Sequence, residues 1–138
     1  MADWAIRSAA ERDFASVLRL WEAAGAPPTV SDTREGLSRL LATDREALLL
    51  VASVDAVAGS LIAVWDGWRG SFYRLAVHPD HRRRGLASAL LREGERRLRA
   101  RGASRLTAIV ADEDPTALAF WEAAGYRRQR DRTRFVSS

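Results

Sequence analysis

The stretch Leu75-Ala76-Val77-His78-Pro79-Asp80-His81-Arg82-Arg83-Arg84-Gly85-Leu86-Ala87-Ser88 holds the residues whose types and spacing point most directly to chemistry. An apolar run stops at Pro79, a short loop follows, and from Gly85 the pattern turns helical. The first backbone N–H groups of a helix lack intrahelical partners, and the helix dipole adds partial positive charge there. Gly85 and Ala87 leave the backbone open to a bulky anion, and Arg82, Arg83 and Arg84 add Coulombic attraction. The ligand expected from this combination carries phosphate. An arginine-rich helix can also be no more than a solvated face, so the loop's place in the fold matters.

Other side chains with chemical potential are scattered. Asp66 and Glu22 are candidate bases and Tyr73 a candidate acid, while Trp21, Trp65 and Trp68 could wall an acceptor pocket. His78 and His81 flank Pro79-Asp80, but no further ligand motif accompanies them, so no metal is assigned. The chain has no cysteine, which excludes disulfides, thiol catalysis and thiolate metal sites. Its 22 basic side chains are all arginine, which excludes a lysine Schiff base or a lysine general base. Residues 82–105 carry nine arginines against Glu93 and Glu95, whereas residues 1–81 carry eight arginines against eleven acids. One segment is therefore built to meet an anion. No apolar run approaches the ~20 residues of a membrane span, and the start lacks the apolar core of a signal peptide. A cytoplasmic protein with no membrane partner is expected.

The elements that must position these residues follow from periodicity. A chain of 138 residues suits one domain, 1–138. Trp4 to Arg7 predicts a first strand, and Ser8-Ala9-Ala10-Glu11 has the form of a capping box before a helix. Leu37, Leu40 and Leu41 mark a second helix. Ala47–Val54 and Ala56–Val64 predict an antiparallel hairpin turning at Asp55. Asp66 to Gly70 is a turn before a strand over 71–78. The helix from Gly85 to Arg101 leads to a strand over 105–111, then to a helix opened by Asp114-Pro115, and 132–136 predicts a closing strand. The order indicates an α/β fold, a mixed, mostly antiparallel sheet of about six to seven strands flanked by about four helices.

The pentapeptide Trp-Glu-Ala-Ala-Gly occurs at 21–25 and again at 121–125. The flanks diverge, so duplication does not explain it. Each copy closes an amphipathic helix, with Gly25 and Gly125 at the left-handed residue that ends one.

Arg82-Arg83-Arg84-Gly85-Leu86-Ala87 also resembles the signature of the GNAT superfamily of N-acetyltransferases: Arg or Gln, two residues, Gly, one residue, Gly or Ala. The context strengthens the resemblance. The motif follows a strand of form LxVxPxxR, and Asp114 to Tyr126 looks like the family's NxxAxxFYxxxGF block. The likeness covers essentially the whole chain and is similar in flavour to small bacterial acetyltransferases with a DGxRG turn, here Asp66 to Gly70. It implies binding of acetyl-CoA without a metal. The pyrophosphate would lie on the amides of residues 83–88, with Leu75, Ala76 and Val77 along the pantetheine. Arg82, Arg83, Arg84, Gly85, Leu86, Ala87, Ser88, Asp114 and Trp121 complete the implied cofactor-binding set.

The implied reaction transfers acetyl directly to a primary amine of a small molecule or peptide. Two departures bear on it: Asp114 replaces the usual Asn, and Trp121 replaces the usual Tyr that protonates the leaving thiolate. An indole N–H donates a hydrogen bond but cannot deliver a proton. The catalytic acid is thus open, with Tyr73 as a candidate, and a thiol of pKa about 8.5 can also leave unassisted. Leu106-Thr107-Ala108-Ile109-Val110 lacks the glutamate that protein N-terminal acetyltransferases of this superfamily carry. Two rival readings are a non-catalytic CoA-binding or interaction module and an RNA-directed, toxin-like acetyltransferase. The absence of a tyrosine acid and of interleaved aromatics on 92–105 argues against a nucleic-acid partner. A homodimer is consistent with the superfamily.

Overall fold

A computed structural model describes residues 3–138, which form two compact units, a first ending at Ala108 and a second comprising Ile109–Ser138. The first unit contains one sheet in sequence order: β1 (Ala5–Ser8), β2 (Leu48–Ala52), β3 (Val57–Trp65), β4 (Gly70–Val77) and β5 (Leu106–Ala108). The first three pairings are antiparallel, and β4 with β5 is parallel. Helices α1 (Phe14–Ala23) and α2 (Arg34–Thr43) join β1 to β2, and α3 (Leu86–Ala100) is the crossover from β4 to β5. The parallel pair requires such a crossover, because a tight turn cannot return a strand in the same direction.

Both faces of the sheet are covered, which is why all five residues of β2 are buried. Phe14, Val17, Leu20 and Trp21 of α1 and Leu37 of α2 pack with Leu48, Leu50 and Ile62 on one face. Each such side chain contributes roughly 1.5–3 kcal/mol through burial. On the other face α3 comes so near that a Cβ on Gly94 would stand 2.9 Å from both Leu61 and Phe72. Only a glycine lets that helix lie so close.

The second unit contains α4 (Pro115–Ala123). Asp114 caps it, its carboxylate accepting from the Ala117 N–H at 3.0 Å, as the Asp-Pro pair predicts. No helix among the described residues is long and apolar enough to cross a membrane.

Three expectations need correction. Among the described residues the sheet has five strands rather than six to seven: β5 ends at Ala108, and 132–136 forms no strand. Phe135 and Val136 are consecutive, so an extended chain would send them to opposite faces, Val136 with Arg132 and Arg134 and Phe135 with Thr133, and neither face would be apolar. Both apolar residues remain exposed. The first helix is also not capped by Ser8, which lies in β1. A 3-10 turn over Glu11–Asp13 leads into α1, and Asp13 accepts from the Ala10 N–H at 2.8 Å while Arg7 grips the same carboxylate at 2.8 and 2.9 Å.

The two Trp-Glu-Ala-Ala-Gly strings close their helices identically. Gly25 and Gly125 have φ of 78° and 94°. Each glycine N–H bonds to the glutamate carbonyl, and the next residue's N–H bonds to the tryptophan carbonyl at 3.0 Å. That is the Schellman pattern. In the second copy Tyr126 meets Trp121 edge-on, ring centroids 5.0 Å apart.

Candidate functional site

The arginine loop has the properties its composition suggests. Arg83 and Gly85 both adopt left-handed backbone, with φ of 64° and 74°, on either side of Arg84. Alternating handedness turns successive N–H groups toward one side, forming an anion-binding concavity. Gly85 is the N-cap of α3, and no side chain caps the helix. The first intrahelical bond runs from Ala89 N–H to the Gly85 carbonyl at 3.0 Å, which leaves the amides of Leu86, Ala87 and Ser88 for a ligand. A Cβ built on Gly85 would meet nothing within 4 Å, so open space lies over the backbone. Arg82, Arg83 and Arg84 form no ion pair among the described residues and are exposed. The set suits a phosphate ester: oriented amides, a helix N-terminus, unpaired guanidinium groups and room.

Upstream of the loop, β4 presents a free edge. Its ladder with β5 stops at Phe72↔Ala108. The register with β3 shifts between Ser60↔Ala76 and Ile62↔Tyr73, so Arg74 and Leu75 together oppose Leu61. This β-bulge bends β4, and Arg74 carries the distortion with φ of 53°. The His78 N–H donates to the Ala58 carbonyl at 2.7 Å, so residues 76 and 78 turn their amides toward β3 and residues 75 and 77 turn theirs outward. The Val77 carbonyl receives Arg82 Nε at 3.2 Å, which folds that arginine back over the edge. Leu75, Ala76, Val77 and the loop 82–88 are thus brought into one continuous run.

Tyr73 is the first β4 residue past the end of the parallel ladder, and it is 41% exposed. It opposes Ile62, whose side chain joins the α1/α2 cluster, so Tyr73 faces that side. Sequence reasoning missed its neighbours. The Arg74 guanidinium lies 5.3 Å from the Trp21 ring, pairs with Asp32 and donates to the Pro27 carbonyl at 3.0 Å. Asp32 also accepts from the Thr29 N–H at 2.7 Å. The segment after α1 is thereby tied to the bulge. No glycine marks the bulge in the sequence, and nothing in the polar run 29–33 singles out Asp32.

Several candidates lie elsewhere. Trp21 is 3% exposed and donates its indole N–H to Ser60 Oγ at 2.8 Å, so its ring belongs to the core and not to a pocket wall. Trp65, Asp66 and Trp68 sit at the β3–β4 turn, at the opposite end of β4 from Val77. At about 3.3 Å per residue, Gly70 to Leu75 alone spans ~17 Å. Asp66 holds its own turn, accepting from the amides of Arg69 at 2.6 Å and Trp68 at 2.8 Å, and these bonds keep its carboxyl below the usual range. Trp68 is exposed, with Arg69 stacked 4.0 Å over its ring. Glu22 is exposed in the last turn of α1.

In the second unit, Asp114 is the α4 cap and Trp121 packs edge-on to Phe120 and Tyr126. His78 Nδ1 accepts from the Asp80 N–H at 3.1 Å, and no three metal-ligating side chains cluster among the described residues.

Arg96 and Arg97 of α3 and Arg101 just after it are committed within the fold. Arg96 and Arg97 grip Glu93 at 2.7 Å, which holds its carboxyl down at about 2. Arg97 also donates to Ser8 Oγ at 2.9 Å. Arg101 bonds Asp44 at 2.6 Å, which lowers that carboxyl, and Glu46 at 3.1 Å. Arg82, Arg83 and Arg84 are three consecutive arginines outside these pairs.

Comparison with known proteins bears on the family and the fold. A profile described as "Acetyltransferase (GNAT) family" matches residues 14–126. An acetyltransferase of Yersinia enterocolitica is 36% identical over 124 residues, covering 90% of this chain and 88% of that protein. An acetyltransferase of Yersinia pestis is 38% identical over 125 residues, with the same coverage. Among solved structures, the PaiA N-acetyltransferase of Thermoplasma acidophilum in complex with coenzyme A superposes with a TM-score of 0.82 at 13% identity, over 92% of this chain and 91% of that one.

Proposed function

This chain belongs to the acetyltransferase (GNAT) family, and from that premise we propose that it moves an acetyl group from acetyl-CoA directly to the primary amine of a small molecule or peptide. The observation that carries the reading is the free edge of β4 followed, after the 3-10 turn Pro79–His81, by the uncapped, left-handed entry to α3. In this reading the amides of residues 83–88 hold the pyrophosphate, with Arg83 and Arg84 supplying charge. Backbone groups of Leu75 and Val77 align the pantetheine arm. Acetyl-CoA supplies the activated acyl group as a thioester.

What remains for the chain is to orient the carbonyl, accept a proton from the amine and return one to the thiolate. Tyr73 is the acid in this account. Its phenol carries a transferable proton, it stands where β4 and β5 part, and it is exposed on the side from which Arg74 and Asp32 fix the segment after α1. The amine proton leaves through water, because Asp66 is at the wrong end of β4 and Glu22 is an exposed helix-end residue. A non-catalytic CoA binder is the second reading, favoured by the absence of a phenol at position 121. The RNA-directed reading is weakened by the engagement of Arg96, Arg97 and Arg101 with carboxylates.

Thiol release from acetyl-CoA with a panel of primary amines separates these readings. Amine-dependent release, with equimolar acetylated amine by mass spectrometry, is the expected result. Binding of acetyl-CoA with no release by any amine would leave the binder.

A further inference from the structure

We infer that Ser60 is a positioning residue that aims the Leu75 N–H at the acyl carrier, an inference that rests on the reading of the β4 edge as the pantetheine track. Ser60 and Asp13 are the buried polar or charged side chains among the described residues, and Ser60 is 0% exposed. A hydroxyl in that environment is costly unless it is bonded. Here it is bonded twice, accepting from Trp21 Nε1–H at 2.8 Å and donating to the Arg74 carbonyl at 2.9 Å.

The second bond falls where the ladder fails. Ser60 opposes Ala76, at the point where β4 carries its extra residue, and a bulge leaves that residue without a regular ladder partner. Arg74 is also a non-glycine residue at φ of 53°, a strained conformation that the surroundings must hold in place. The Ser60 hydroxyl substitutes for the missing ladder donor. It has a single proton to give. Because Trp21 already donates to its oxygen, that proton is directed to Arg74.

The consequence lies on the far side of the same peptide group. The Arg74 carbonyl and the Leu75 N–H belong to one planar unit, in which a trans peptide points the two in opposite directions. Holding the carbonyl inward on Ser60 therefore turns the Leu75 N–H outward, onto the edge that β5 leaves unpaired. Trp21, Ser60 and the 74–75 peptide thus form a relay from the core to the amide that polarises the bound carbonyl. The first Trp-Glu-Ala-Ala-Gly string gains a function by this route: its tryptophan sets the hydroxyl that sets the bulge.

The test is infrared difference spectroscopy of acetyl-CoA labelled with carbon-13 at the thioester carbonyl, bound to wild type, Ser60→Ala and Trp21→Phe, with affinity measured by calorimetry. Wild type should lower the carbonyl frequency on binding. Ser60→Ala should lose most of that shift while its affinity changes less than about 3-fold, because the phosphate contacts are untouched. An equal shift in Ser60→Ala, or binding to wild type without any shift, would overturn the proposal. If wild type does not bind acetyl-CoA at all, the reading of the edge fails instead. Should Ser60→Ala not fold, Trp21→Phe decides: it keeps the hydroxyl but frees its orientation, so a reduced shift supports the relay and an unchanged shift overturns it.

Discussion

In the proposed reaction a general acid speeds departure of the thiolate, and the chain offers two aromatic positions for that task with opposite capacities. Trp121, which the motif resemblance sets at the phenol position, has no phenol to give; Tyr73 has one, at the parting of β4 and β5. Tyr73→Phe should therefore lower kcat by about 10²-fold, the usual scale of general acid catalysis, with little change in KM for acetyl-CoA. Trp121→Tyr should leave turnover within about 3-fold of wild type, since the acid is already supplied. Steady-state kinetics with the best amine measures both, and a marked gain in Trp121→Tyr would transfer the role to position 121. At this scale the left-handed entry to α3 was legible, because a glycine before a helical pattern marks it locally. The sequence concealed Ser60, Arg74 and Asp32. Their importance comes from a bulge created by register mismatch between two strands, and an arginine at positive φ carries no local signature.

Helix ends were the most legible elements. Both Trp-Glu-Ala-Ala-Gly strings close as Schellman motifs, and α3 repeats the pattern: the Ala103 N–H bonds to the Leu98 carbonyl at 3.0 Å, and Gly102 has φ of 111°. Three helices share one local solution because it is encoded in a few consecutive residues. A Cβ on Gly25 would meet nothing within 4 Å, so Gly25→Ala carries a backbone penalty without a clash. It should destabilise the protein by about 1 kcal/mol in urea unfolding, with the m-value unchanged. Strand ends were less legible, since a strand depends on a partner that local sequence does not name. The run 105–111 has the composition of a buried strand, yet only Leu106–Ala108 pair, and Ile109 is 52% exposed. Ser8-Ala9-Ala10-Glu11 likewise satisfied a capping pattern, while a carboxylate two residues further on, held by Arg7, took the role.

For the whole molecule, charge is arranged in two ways. Carboxylates from several segments pair with Arg7, Arg96, Arg97 and Arg101, while Arg82, Arg83 and Arg84 form no ion pair among the described residues and, in the proposed function, meet the ligand. The first arrangement makes stability sensitive to acid. Glu93 falls from the ordinary 4.5 to about 2 on the guanidinium groups of Arg96 and Arg97, and Asp13 and Asp44 are lowered by Arg7 and Arg101. The folded state then binds fewer protons than the unfolded state between these values. Its extra stability is complete above about pH 4.5 and is lost as pH falls toward about 2. Glu93→Gln should remove part of that acid dependence in thermal melts from pH 6 to 2.5, lowering stability at neutral pH more than at the acid end. A slope identical to wild type would show that the pair contributes nothing.

The second arrangement carries the central claim, that the loop 82–88 holds the phosphates of acetyl-CoA. Calorimetric titration of acetyl-CoA into wild type and Gly85→Glu tests it most directly. The substitution places a carboxylate and a strained left-handed side chain over amides that otherwise face open space. Saturable binding of one acetyl-CoA per chain, weakened at least about 10-fold in a Gly85→Glu protein that melts as a folded domain, is the predicted result. Equal affinity in the two proteins, or no binding to wild type, would contradict it.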